Sequence, residues 1–167
     1  IKKRHGKIDE MAAKKIGYGA IKYSILRVSP EKNVIFNWQQ ALSFEGESAP
    51  YIQYAYARIC SILRKYNKKI DSKIKYNLLD KKEEIELIKK LSEFPNTISK
   101  VTGNLKPHII ANYLYELAQK FNEFYHSCPI LKEEEDVKKA RLLLITAIKQ
   151  VLGIGLSLLG IETLERM

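Results

Sequence analysis

Apolar residues that recur every three or four positions, in long blocks, are the feature that most limits what this chain can fold into. Such stripes run through residues 50–67, 82–94, 107–126 and 134–159. The first of them consists of Ile52, Tyr56, Ile59, Ile62 and Leu63. This spacing puts the side chains on one face of an α-helix, and nothing in the sequence resembles the alternation of a strand. The sequence therefore predicts an all-α fold, an antiparallel helical bundle.

Shorter helical segments precede and punctuate these blocks. Residues 8–28 are predicted to be helical, and a short helix is predicted over residues 38–44. Pro95 is predicted to end the second block, with at most a turn or two of helix after it. We therefore divide the chain into a small N-terminal helical appendage, residues 1–45, and a bundle, residues 46–167.

The fourth block raises the question of a membrane. Residues 142–161 are apolar nearly all round and approach the length of a spanning helix. Lys149 and Gln150 lie near the centre, however, and a central lysine costs about 2.5–3.5 kcal/mol on insertion scales. Gly153 and Gly155 weaken a spanning helix further. We expect this helix to be buried at the centre of a soluble bundle, and we expect no membrane partner.

The net charge of +10 is unevenly distributed. Residues 1–80 contain 16 Lys and Arg against 7 Asp and Glu, whereas residues 81–167 contain 13 against 12. A basic first half suits a partner covered in phosphates. The alternative is a lysine-rich proteome, in which the charge carries no functional meaning.

The sequence indicates neither catalysis nor a metal site. Cys60 and Cys128 are far apart and lack CxxC spacing, and His5, His108 and His126 are isolated from one another. A phosphate-binding loop and a dinucleotide fingerprint are both missing. We therefore expect a binding protein with no catalytic residue and no metal. Both cysteines lie in apolar helical patterns, which predicts buried, reduced thiols in a cytoplasmic protein.

Aromatic and cationic side chains are interleaved in one part of the chain. Tyr51, Tyr54 and Arg58 are three and four residues apart and share a helical face. Just beyond them, with Tyr66 and Tyr76 interleaved, lie Arg64, Lys65, Lys68, Lys69, Lys73 and Lys75. Unpaired RNA bases stack on aromatic rings at about 1–3 kcal/mol each, and cations bind its backbone with salt-dependent strength. Packing of the same tyrosines into a core is an equally good interpretation.

Several stretches of the chain resemble arginyl-tRNA synthetases. YIQYAYARICSIL (51–63), LYELAQKFNEFYHSCP (114–129) and KQVLGIGLSLLGIETLERM (149–167) are similar to the C-terminal region of that family. GYGAIKYSIL (17–26) and VIFNWQQAL (34–42) are similar to the segment before it. The resemblance implies a helical anticodon-binding domain of the DALR type. It also implies that residues 1–45 are the junction from the catalytic domain, which contacts the stem of the tRNA.

The family's activity is then implied for a longer parent protein. Members are class I enzymes that use ATP, with Mg, to attach arginine to its tRNA. This chain has no HIGH-type or KMSKS-like signature and does not begin with Met. We expect a fragment that holds no cofactor and is inactive alone. The implied partners are arginine tRNA and the catalytic domain of the same polypeptide, in a monomeric cytoplasmic enzyme.

The resemblance also assigns site residues. Tyr51, Tyr54, Tyr125 and the C-terminal Met167 are implied to shape the pocket for the opened anticodon loop, without deciding which of the first two contacts a base. Arg58 is the fifth residue implied at the anticodon site, where it would hold a phosphate. The cations beyond it are implied to contact phosphates as well, namely Arg64, Lys65, Lys68 and Lys69. Because the bases of an anticodon loop are unpaired, they can be splayed out, stacked and read on their edges. A terminal methionine is flexible enough to pack beneath such a base.

Two other functions are open at this stage. The chain could be a free-standing relative of anticodon-binding domains that binds tRNA without being part of a synthetase. It could also be a helical protein-interaction module whose tyrosine face docks a partner helix. A steep salt dependence and a preference for arginine tRNA would separate the first interpretation from these two.

Overall fold

The computed structural model describes residues 9–70 and 74–167. Within these residues the regular structure is helical, so the predicted all-α fold is confirmed. The elements in chain order are α1 (Glu10–Leu26), α2 (Trp38–Ala41), α3 (Ala49–Tyr66), a 3-10 turn (Tyr76–Leu78), α4 (Lys82–Ser92), α5 (Phe94–Asn104), α6 (His108–Ser127) and α7 (Glu135–Leu158).

Helix α3 carries most of the predicted binding residues, and local chemistry sets both of its ends. The Ser48 hydroxyl accepts a hydrogen bond from the backbone N–H of Tyr51 at 3.2 Å. Pro50 lies in the first turn, where its missing N–H costs nothing. At the other end, Asn67 adopts the left-handed conformation, with φ of 48°, which asparagine tolerates better than most residues. The predicted helix over residues 50–67 is therefore confirmed to within one residue.

The structure differs from the sequence prediction after α4. The sequence predicts a block that ends at Pro95 with a turn or two of helix after it. In the structure α4 already ends at Ser92, and Pro95 lies in the first turn of α5, a helix of 11 residues. Proline is tolerated there because the first N–H groups of a helix have no acceptor within it. At the chain start, α1 begins at Glu10 with the Asp9 carboxylate accepting two backbone N–H groups. The predicted first helical residue, residue 8, lies outside the described residues.

Helices α3, α6 and α7 enclose one apolar core, with Ile59, Leu114, Phe121, Phe124 and Ile145 among its fully buried side chains. Helices α6 and α7 are antiparallel, because Arg141 near the start of α7 donates to the carbonyl of Pro129 just past α6. Near the other end of α7, a Cβ atom on Gly155 would overlap the Leu114 side chain. Glycine at position 155 therefore allows these two helices to approach closely.

Helices α3 and α6 run in the same direction. The ring of Tyr51 packs against that of Tyr115, and Arg58, seven residues later, donates to Asn122, also seven residues later. The matching steps mean that successive turns of α3 lie beside successive turns of α6. This pairing brings the second half of α3 next to the C-terminal end of α6.

Helix α7 is long and apolar enough to cross a membrane by length and composition, with a mean hydropathy of 1.6 in its most apolar window. In the structure it packs against α3, α4 and α6. Leu142, Ile145, Ile148 and Leu152 are fully buried there, which is the core location that the sequence predicts. Lys149 lies toward α3, with its Nζ atom 5.6 Å from the ring centroid of Tyr56.

Candidate nucleic-acid interface

An open groove of about 420 Å³ lies between α3, the end of α6 and the last residues of the chain. We call it the tyrosine groove. Its lining consists of Tyr54, Ala57, Arg58, Ser61, Arg64, Tyr125, Arg166 and Met167. The structure thus brings together four of the five residues that the resemblance singles out for the anticodon, although they come from three separate stretches of sequence. The fifth, Tyr51, lies elsewhere.

Arg58 is held between two aromatic rings of the tyrosine groove. Its guanidinium carbon lies 4.6 Å from the ring centroid of Tyr54 and 4.8 Å from that of Tyr125. One guanidinium nitrogen donates to the Tyr54 hydroxyl at 2.9 Å, and another to the Asn122 side-chain oxygen at 3.4 Å. Both acceptors are neutral. The guanidinium is therefore fixed in place while its charge remains uncompensated by these partners.

The two tyrosines of the groove are themselves supported from outside it. The ring of Tyr54 meets the ring of Phe44 edge-on, with centroids 6.2 Å apart. Tyr125 packs against Phe121 at 6.1 Å, yet 39% of Tyr125 is exposed. Packing on one side and exposure on the other leave the Tyr125 ring ordered and accessible. A flat ligand can stack there without first ordering the side chain.

Tyr51 occupies a different position. It lies on the same face of α3 as Arg58 but two turns earlier, about 10 Å along the axis. There it is half-buried, and its ring centroid lies 5.6 Å from that of Tyr115. The choice between Tyr51 and Tyr54 left open by the sequence therefore has a geometric preference, since Tyr54 lines the groove. A base contact by Tyr51 stays a prediction without a pocket to support it.

A second groove, of about 490 Å³, adjoins the first. We call it the basic groove; it is lined by Cys60, Leu63, Arg64, Asn67, Lys68, Lys69, Lys149 and Glu165. Arg64 and Glu165 separate the two grooves, because an Arg64 guanidinium nitrogen donates to the Glu165 carbonyl at 3.0 Å. Four cations thus face one acidic side chain among the described lining residues.

The basic groove contains three of the predicted phosphate contacts and one cation that sequence reasoning missed. Arg64, Lys68 and Lys69 were candidates from the basic stretch, whereas Lys149 counted only as an interruption of an apolar block. That interruption was the available signal, since a lone lysine in an apolar helix must reach the surface somewhere. Burial raises the pKa of the Cys60 thiol above its usual value, although nearby Lys149 opposes this. The thiol therefore adds no negative charge to the groove at neutral pH.

The remaining cations of the basic stretch lie elsewhere. Lys65 is exposed and lines neither of the two described grooves. Lys75 forms an ion pair with Asp136 at 2.8 Å. Lys73 lies outside the described residues. Both cysteines are free thiols and are buried, as the sequence predicts.

The fold and the two grooves define an all-α domain that presents ordered aromatic rings beside a row of cations, the combination used to bind unpaired nucleic acid. The model of one family, the DALR anticodon binding domain, matches residues 52–167. This match covers more than half of the chain, so the chain belongs to the DALR anticodon-binding domain family.

Curated relatives and solved structures agree with this membership. The chain is 48% identical over 163 residues to an arginine–tRNA ligase of Methanocaldococcus jannaschii, a match that covers 96% of the chain and 29% of the relative. It is 47% identical over 166 residues to the arginine–tRNA ligase of Pyrococcus furiosus, covering 95% of the chain and 26% of the relative. The Thermus thermophilus arginyl-tRNA synthetase structure superposes with a TM-score of 0.88 at 34% identity, over 99% of this chain and 29% of that one.

The chain thus spans between a quarter and a third of the length of these relatives. The family match lies within the predicted bundle, residues 46–167, but the boundary at residue 45 and the separate role of residues 1–45 stay predictions.

Proposed function

We propose that the chain is the tRNA-recognition part of an arginine–tRNA ligase, which binds the opened anticodon loop of arginine tRNA. The rest of the enzyme, a catalytic domain in the same polypeptide, uses ATP and Mg to attach arginine to that tRNA. The enzyme acts as a monomer in the cytoplasm. The similarity to arginine–tRNA ligases over nearly the whole chain supports this assignment.

The observation that carries the proposal is the arrangement of Arg58 between Tyr54 and Tyr125 in the tyrosine groove. A base flipped out of the anticodon loop stacks on the exposed ring of Tyr125, with Met167 packing against it from the tail. Such a stack contributes about 1–3 kcal/mol. Arg58 and Ser61 supply hydrogen-bonding groups at the groove wall, and these can read the base edge because anticodon bases are unpaired.

The basic groove extends the same site along the strand. A nucleotide whose base occupies the tyrosine groove carries a phosphate on each side, and the neighbouring groove offers Arg64, Lys68, Lys69 and Lys149. Cations of this kind bind any phosphodiester backbone. They therefore add affinity and salt dependence, whereas the tyrosine groove adds base selectivity.

A titration tests the proposal directly. The chain is titrated with arginine tRNA, the same tRNA with a swapped anticodon, and an unrelated tRNA, all at one fixed salt concentration. We expect the tightest binding to arginine tRNA and a loss of about 1–3 kcal/mol for Tyr125→Ala. Tyr76→Ala is the matched control, because Tyr76 is exposed and lies outside the tyrosine groove.

Two results would contradict the proposal. Equal binding of all three tRNAs would leave a general tRNA-binding protein, the free-standing alternative. Failure to bind any of them, or binding that does not weaken with salt, would leave the protein-interaction module.

A further inference from the structure

The last residues of the chain form an irregular segment that is tied down along its length. We call residues 159–167 the C-terminal tail; they follow α7 and contain no helix. Leu159, Ile161 and Leu164 are buried, and Arg166 and Met167 line the tyrosine groove. Chain termini usually fray unless something holds them. Contacts with other parts of the chain must therefore hold the tail with Met167 in the groove.

Side chains from α1 and α3 contact the tail. Two of these side chains come from α1, which lies at the opposite end of the sequence. Lys22 donates to the carbonyl of Gly160, and Lys15 forms an ion pair with the Glu162 carboxylate at 2.8 Å. Gln53, on α3, donates from its side-chain amide to the Glu162 carbonyl at 2.8 Å. Together with the Arg64 contact to Glu165, these bonds fix three successive points of the tail before it enters the groove.

Gln53 is the most informative of these residues because it is fully buried. Its amide nitrogen donates to the carbonyls of Lys15 and Glu162, while its oxygen has no partner among the described residues. A buried polar group that is only partly satisfied lowers stability and needs another explanation. Joining α1 to the tail is that explanation, since the amide nitrogen contacts both.

Gly19 permits the close approach of α1 on which these contacts depend. A Cβ atom at this position would lie 3.1 Å from the Gln53 amide nitrogen and 3.2 Å from a methyl carbon of Ile161. Helix α1, the buried amide of α3 and the tail therefore meet at one point. A side chain at position 19 would therefore require Gln53 or Ile161 to shift.

We propose that Lys15, Lys22 and Gln53 are positioning residues, which set the tail so that Met167 closes the tyrosine groove. Helix α1 then helps to shape the base-binding site by holding the tail, although none of its described residues lines that site. This inference rests on the proposed function for what the groove binds. The attachment of the tail itself is a property of the free chain and can be measured without RNA.

The first experiment measures the tail in the free chain. A broad-specificity carboxypeptidase releases Met167 and Arg166, and the release rate is compared between the wild-type chain and the double variant Lys15→Met/Lys22→Met. Lys14→Met/Lys32→Met is the matched control, because it removes the same charge from two exposed residues, one of them on α1. We expect release to be about threefold to tenfold faster in the first variant only, as for the loss of one or two hydrogen bonds. Equal rates in both variants would overturn the proposal.

The second experiment asks whether these residues act through the tail. Binding of an arginine anticodon stem-loop is measured for Lys15→Met/Lys22→Met and for Gln53→Met, in the full chain and in a chain that ends at Leu164. Residues that act only through the tail weaken binding about threefold to tenfold in the full chain and have no further effect in the shortened one. Equal losses in both chains would show a general structural role and would overturn the proposal.

The two proposals fail in different ways. If Gln53→Met loses its helical circular dichroism, the Lys15→Met/Lys22→Met variant alone tests the proposal. That variant should remain folded, because Lys22 is exposed and Lys15 is only half-buried. If the wild-type chain does not bind the stem-loop, the proposed function fails while the carboxypeptidase result still decides whether α1 holds the tail.

Discussion

Arg141, near the start of α7, and Arg58, in the middle of α3, are both held by neighbouring side chains, but the neighbours are of opposite kinds. The Arg141 side chain is 3% exposed; it donates to the Glu84 carboxylate at 2.6 Å and lies 3.0 Å from a Glu133 carboxylate oxygen. Arg58 has two aromatic rings and two neutral acceptors, in a groove open to solvent.

The difference shows how a helical bundle separates a cation that it uses for folding from one that it leaves available. A carboxylate compensates the guanidinium charge, which is required when the group is buried. Aromatic rings orient a guanidinium without cancelling its charge. Arg141 therefore joins α4, α6 and α7 and has little left for a ligand, whereas Arg58 is positioned with its charge free for an anion or a base edge.

Arg141→Met tests the folding side of this comparison and should have the largest effect. It leaves Glu84 fully buried without its cation, so we expect the free energy of unfolding to fall by about 3–5 kcal/mol. Urea denaturation measures this change. Glu84→Met/Arg141→Met should recover much of the loss, because it removes both charges. If the double variant is no more stable than the single one, the carboxylate is not the source of the cost.

Tyr54→Ala and Tyr51→Ala test which of the two tyrosines contributes to ligand binding. The two tyrosines are three residues apart on α3, but only Tyr54 lines the tyrosine groove and stacks on Arg58. We expect Tyr54→Ala to weaken binding of an arginine anticodon stem-loop by about 1–3 kcal/mol, measured by fluorescence titration. Tyr51→Ala should mainly lower stability, since it removes packing against Tyr115. The reverse outcome would mean that the bound loop lies about one turn nearer the start of α3.

Arg58→Lys and Arg58→Met separate the orientation of the cation from its charge. Lysine keeps the charge but cannot stack as a plane between Tyr54 and Tyr125, so we expect stem-loop binding to weaken by about 0.5–2 kcal/mol with an unchanged salt slope. Arg58→Met should weaken stem-loop binding more than Arg58→Lys does, and it should also reduce the salt slope by about one. Neither variant should lower stability as Arg141→Met does. A loss of several kcal/mol of stability in Arg58→Met would place both arginines in the folding category.

The sequence predicted well wherever the determining contacts are local. The ends of α3 follow from Ser48, Pro50 and Asn67, which act within a few residues of their own position. Pro95 shows the limit of local reasoning, because a proline ends one helix and begins the next equally well. Local reasoning could not decide which of Tyr51 and Tyr54 lines the tyrosine groove. That choice depends on how α3 and α6 are aligned, which no short pattern encodes.

The grooves show the same limit more strongly. Resemblance to a family identified Tyr54, Arg58, Tyr125 and Met167 before any packing was known, and the structure brings them to one groove. Lys149 was missed as a member of the basic groove because its neighbours there come from α3 and the loop after it. The contacts that hold the tail were equally out of reach. Helix α1 and the tail lie at opposite ends of the described chain, and three of the four contacts from α1 and α3 go to a backbone carbonyl of the tail.

The triple variant Lys68→Ala/Lys69→Ala/Lys149→Ala tests the lysines of the basic groove. These lysines are exposed or half-buried, so a phosphate contact by any one of them should contribute less than a stacked base at moderate salt. We expect weaker binding to every RNA alike, and a salt slope reduced by about one for each lysine that contacts a phosphate.

Lys14→Ala/Lys100→Ala/Lys132→Ala is the control, because it removes the same charge from exposed lysines outside both grooves. It should leave the salt slope nearly unchanged. Lys65→Ala, the predicted contact that lines neither groove, should behave like this control. Loss confined to arginine tRNA would contradict the division, because it would make the basic groove a reader of sequence.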